Sequence, residues 1–231
     1  MDLSADHSHP LAERFRTFIG DQAFPCVGAK SALARGQLSI VIARDIRSAW
    51  DDLRIYSALL DFAQAYKDDR RLFQSLAVIF AQGWAASEGD FEGALWSRLQ
   101  SLADKDLWHG QPYDERVSPD PDNPHFSLSF GGEAFFVVGL HPNASRAGRR
   151  FERPVLVFNP HDQFERLREE GRYEHIREKI IARDVALTGS PNPMLARHGE
   201  ISEARQYSGR AVSEEWACPF VAPASESKRA S

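Results

Sequence analysis

The sequence predicts one α+β domain over residues 1–220: a mixed, mainly antiparallel sheet of about five strands, with helices packed on it and mainly on one side. Three observations lead there. FSLSF and EAFFVVGL are β-rich runs joined at Gly131-Gly132, a hairpin signal. PVLVFN (154–159) supplies the next strand. LSIVIAR (38–44) and LFQSLAVIFAQ (72–82) flank a long amphipathic segment, the strand–helix–strand order of a right-handed crossover.

In chain order, residues 10–20 place Leu11, Phe15, Phe18 and Ile19 on one helical face ending at Gly20. VGAKSALARG reads as a short helix stopped at Gly36, so Cys26 stands at or just before its first turn. The first strand precedes a helix from Arg47 to Tyr66, whose apolar side is assigned to Trp50, Leu53, Tyr56, Ala58, Leu60, Phe62 and Ala63. The second strand rests on Val78, Ile79 and Phe80 ahead of Gly83. Ser87-x-x-Asp90 is a capping-box variant that opens a helix to Lys105, with Phe91, Leu95, Leu99 and Leu102 at helical spacing. Residues 108–125 hold four prolines and read as a long loop. After the hairpin and PVLVFN, Asn159 is expected to cap a helix with Pro160 at its first position and His161 in its first turn. Gly171 interrupts that helix and Tyr173–Asp184 resumes it. Residues 199–210 suggest a short helix and a loop, Trp216, Cys218, Pro219 and Phe220 a closing clip, and 221–231 a disordered tail.

Composition narrows the function. A chain of 231 residues suits one core, and 42% hydrophobic with 26% charged residues is ordinary for a globular protein. Net charge −5 offers no basic field for nucleic acid or an anionic membrane. The N-terminus has no leader pattern, and the longest apolar run, AFFVVGL, is far short of the ~20 residues of a membrane helix. Cys26 and Cys218 are accordingly expected as reduced thiols in the cytoplasm. Zinc spacings, P-loops, dinucleotide fingerprints and nucleophile elbows are all lacking, which disfavours common hydrolases and nicotinamide enzymes.

Candidate chemistry gathers around residues 126–164. His141 closes a strand and precedes Pro142, so its direction is fixed by rigid backbone; it is either an iron or metal ligand or a hydrogen-bonded strand-end histidine. Arg146, Arg149 and Arg150 offer forked donors for a carboxylate or phosphate, or else a solvated loop. Cys26 at a helix start near Lys30 is either an activated thiolate or a small buried hydrophobe beside Phe24 and Val27. His161, near a helix N-terminus, is expected to be neutral, suited to ligation or hydrogen bonding. Further on, Glu203, Arg205 and Tyr207 could hold an amino-acid-like substrate, or belong to a solvated ion-paired helix.

FPCVGAKSAL, FFVVGLHPNASRAGRRF, PVLVFNPHDQFERLREEGRYE, IIARDVALTGSPNPML, SEARQYSGR and WACPF, in this order from Phe24 to Phe220, resemble the YqcI/YcgG family. Some members of that family are haem proteins that N-hydroxylate an amine or guanidine nitrogen of an amino acid such as arginine. The resemblance thus implies a haem-dependent monooxygenase binding haem b. His141 is the first candidate for iron and Cys26 the alternative, since a thiolate favours O–O cleavage. Arg146, Arg149, Arg150 and His161 would complete the cofactor site. The implied partners are a small amino-acid-like substrate, an electron donor or peroxide, and a possible homodimeric second copy. A non-catalytic haem sensor or carrier, and a cofactor-free binder of small anions, are the alternatives.

Overall fold

In the computed structural model, residues 6, 8–84, 87–194 and 200–222 are described. The tail expected to be disordered falls, from residue 223 on, outside them. Helices α1 (Pro10–Gly20) and α2 (Val27–Ala34) lead into strand β1 (Leu38–Ala43). Helix α3 (Asp52–Asp68) then connects to β2 (Ser75–Phe80), and α4 (Glu88–Trp108) follows. The second half holds β3 (Leu128–Phe130), β4 (Glu133–Leu140), β5 (Val155–Pro160), α5 (Asp162–Glu169), α6 (Tyr173–Thr188) and the short α7 (Ala204–Tyr207).

The strands form one open sheet in the order β1-β2-β5-β4-β3. β1 and β2 are parallel, with Leu38 opposite Ser75 and Ala43 opposite Phe80, and α3 makes the crossover that parallel pairing requires. All other pairings are antiparallel. Gly131 and Gly132, at φ 58° and 73°, make the tight turn between β3 and β4, a backbone region that favours glycine. The mixed, mainly antiparallel sheet matches the expectation.

Helix placement does not. β2 is buried along its whole length and so has no solvent face. Leu76, Val78 and Phe80 enter a core built with α3 and α4, whereas Ala77 and Ile79 enter a second core with α1, α2 and α5. Helices therefore cover both faces of the sheet rather than mainly one. The expected helix from Arg47 is shorter too, beginning at Asp52 after a 3-10 turn at Ala49–Asp51. Its inward first turn is occupied by the Asp52 carboxylate, buried against Arg98, Ser101 and Lys105. Trp50 and Leu53, expected inside, are consequently turned out, 73% and 67% exposed. Asn159 remains in β5, where its Oδ1 accepts a 2.7 Å bond from the Ser75 hydroxyl, and His161 takes the cap position of α5 instead.

The capping box at Ser87 and Asp90 forms as read, with both reciprocal bonds present. Phe220 and Trp216 close on Trp96, forming the expected clip against the first core.

Candidate functional site

The second core is not completely filled. Between the sheet and helices α1, α2, α5 and α6 lies a cavity of about 320 Å³, within the size range of small-molecule and cofactor sites. The sheet supplies a floor of Phe136, Val138, Leu140 and Val157. Along α5, Phe164, Leu167 and Arg168 face it at i, i+3, i+4. α6 continues the wall with Tyr173, Ile176, Arg177, Ile180, Ile181 and Asp184, one continuous helical stripe.

Cys26 stands on this wall as the N-cap of α2, its Sγ accepting from the Ala29 N–H at 3.4 Å. Burial raises its thiol above the ordinary value, outweighing the Ala29 and Gly28 N–H groups and the nearby Arg149 guanidinium that pull it down, so the side chain is a neutral thiol rather than the activated thiolate that the helix start suggested. A cation arriving at Sγ would tip that balance towards thiolate. The sequence placed Cys26 at the helix start correctly, and the cavity shows what the thiol faces. Cys26 and Cys218 are both free thiols.

Arg149 lines the same cavity, donating to the carbonyls of Tyr207 at 3.0 Å and Gly139 at 3.3 Å. Burial lowers its pKa to about 10, with Asp184 and Cys26 opposing that shift, so it remains a cation at neutral pH. Arg146 lines it as well; Nη2 bonds Asp184 and the Ser190 carbonyl, and buried Nε has no hydrogen-bond partner among the described residues. Arg150 does not take part, since it donates to Ala144 O and Ser145 O within its own loop.

His141 lies outside the cavity. Its ring stacks on Phe91 of α4, centroids 4.3 Å apart, in contact with the first core. Gly139 permits that approach, because a Cβ there would come within 2.7 Å of Leu95 and 2.8 Å of Phe91. Burial lowers the His141 pKa to about 4, and its Nδ1 has no hydrogen-bond partner among the described residues. The ligand expected first is thus packed against α4, and the thiol expected second is the one on the cavity wall.

His161 is buried behind the cavity between two carboxylates, Nδ1 at 3.6 Å from Glu203 and Nε2 at 3.7 Å from Glu165. Glu203 lines the cavity. Arg205 and Tyr207 do not: Arg205 donates to the carbonyls of Ser213, Glu214 and Trp216, and Tyr207 is a core residue whose hydroxyl donates to Phe135 O at 3.2 Å. Of the expected site residues, the structure therefore gathers Cys26, Arg146, Arg149 and Glu203. Sequence reading passed over Arg168, Arg177 and Asp184, although their spacing from Phe164, Tyr173 and Ile180 was the available signal.

Among the described residues no group of three or more His, Cys, Asp or Glu side chains is assembled to hold a metal ion, and no helix is long and apolar enough to cross a membrane. The fold and the site define an α+β protein with an apolar interior cavity, one thiol and several guanidinium groups on its wall. The YqcI/YcgG family model matches residues 15–221, and the chain belongs to the YqcI/YcgG family. It is 26% identical over 218 residues to Uncharacterized protein YqcI of Bacillus subtilis (strain 168), covering 88% of this chain and 83% of that protein. No solved structure matches.

Proposed function

We propose that the cavity binds haem b and that the protein is a haem-dependent N-oxygenase of a small amino-acid-like substrate, arginine being the type case. One observation carries the reading: a thiol at a helix N-terminus faces an apolar cavity whose wall also bears buried arginines. The donor set fits the group. Sulfur is a strong ligand for haem iron, apolar walls suit a porphyrin face, and guanidinium groups match its carboxylates. Haem ligated by a thiolate supplies an electron-rich centre for O₂ or peroxide activation.

The chain's own contribution follows from its geometry. Burial raises the Cys26 thiol overall, and the Ala29 and Gly28 N–H groups and Arg149 would offset part of that cost when a cation binds at Sγ. Arg149 is itself fixed by two carbonyls, which keeps its charge beside the sulfur. Glu203 places a carboxylate on the cavity wall, where a guanidinium or ammonium group would find a partner. The apolar side chains of the sheet, α5 and α6 exclude water from that pair and so strengthen it.

The test is expression with added haem, followed by an absorption spectrum and a product assay on arginine with a reductant and O₂, or with peroxide. A Soret band and an N-hydroxylated product are expected. Colourless protein under those conditions contradicts the reading; a Soret band without product, across arginine and other amines, leaves a haem sensor or carrier in its place.

A further inference from the structure

The guanidinium of Arg168 lines this cavity with its hydrogen bonding incomplete. It sits in the last turn of α5 on the cavity wall, with its Cζ 5.0 Å from the centre of the Tyr173 ring. The cation–π contact holds the guanidinium at the ring. Its Nη2 is buried and has no hydrogen-bond partner among the described residues. A buried, unmatched N–H pair of a cation is costly, and a bound anion would relieve it.

We infer that Arg168, held against Tyr173, is a carboxylate-binding subsite of the cavity. This inference rests on the reading of the cavity as the binding site. Two features favour a carboxylate. A planar fork matches two carboxylate oxygens. Glu203 lines the same cavity as Arg168 and Arg177; burial raises the Tyr173 phenol, which the two guanidiniums lower and Glu203 raises further. The cavity accordingly suits a ligand that carries a carboxylate and a cationic nitrogen together. The carboxylate has two sources, the α-carboxylate of an amino acid and a porphyrin propionate, and they are separable by experiment.

The full-length wild type, Arg168→Gln and Arg168→Lys would be compared in two titrations, after circular dichroism has shown that each variant is folded. One titration follows haem uptake by its Soret band; the other measures L-arginine and agmatine by calorimetry. Agmatine keeps the guanidinium group and lacks the carboxylate. If the subsite takes the substrate, wild type prefers L-arginine to agmatine by about tenfold or more, and Arg168→Gln abolishes the preference by weakening L-arginine alone. If it takes a propionate, Arg168→Gln weakens haem uptake by about tenfold and leaves the amine ligands unchanged. Arg168→Lys, which keeps charge without the fork, falls between in either case. Unchanged haem and L-arginine affinities in Arg168→Gln overturn the inference, as does a wild type that binds neither. A wild type that binds L-arginine but no haem defeats the haem reading alone and leaves this subsite to be decided by the second titration.

Discussion

Cys26 and His141 lie in two of the motifs that carry the family resemblance, and the fold turns them to different surroundings. Cys26 ends a turn at the mouth of α2 and keeps its sulfur on the cavity wall. His141 leaves β4 towards α4 and stacks on Phe91. A sequence shows that a histidine ends a strand; it does not show which neighbour covers the ring, because Phe91 is fifty residues away in the chain. The same limit hid the roles of Arg150 and Arg205, whose guanidiniums are occupied by backbone carbonyls of nearby loops. Burial of His141 has a measurable consequence. Its pKa falls from 6.5 to about 4 in the folded protein, so between those values the unfolded chain binds the extra proton. Stability is then fully present above pH 6.5 and declines as pH falls towards 4, by up to about 3 kcal/mol at roughly 1.4 kcal/mol per unit. Urea unfolding at several pH values should show this loss in the wild type, and a shallower slope in His141→Phe. Equal slopes would mean that His141 is protonated without penalty.

α6 is the element that sequence reading described least completely. The sequence marks Tyr173–Asp184 only as a resumed helix, and the stripe from Tyr173 to Asp184 forms one wall of the cavity. Its flanking turns contain Gly171 and Gly189, at φ 66° and 85°. Its attachment near the C-terminal end is the buried pair of Asp184 with Arg146, which also bonds the Ser190 carbonyl at 2.7 Å. Removing one partner of such a pair leaves the other charge buried, at a cost of about 3 kcal/mol or more. Asp184→Ala should therefore raise amide exchange across α6 while leaving α4 protected, as read by hydrogen exchange with mass spectrometry. Uniform exchange rates in the two proteins would show that the pair does not hold the helix. Hairpin, capping box and crossover were all legible, because each depends on local chemistry: two glycines at positive φ, a reciprocal side-chain cap, and a strand–helix–strand length.

The sheet divides the molecule into two cores, and this arrangement decides where chemistry can occur. The core under α3 and α4 is closed by Trp96, Tyr207 and Phe220. The core under α1, α2 and α5 stays open at its centre, and the buried cations and the thiol meet there. Val78, Ile79 and Phe80 marked β2 as a strand, but composition could not show that both of its faces would be covered or which would keep a cavity. The central claim is that the cavity, through Cys26, holds haem. Its most direct test is the absorption spectrum of haem-loaded protein, ferric and ferrous with carbon monoxide, for wild type, Cys26→Ser and His141→Ala. The account predicts a thiolate-type spectrum in wild type, its loss in Cys26→Ser, and its retention in His141→Ala. A spectrum changed by His141→Ala and unmoved by Cys26→Ser would contradict it.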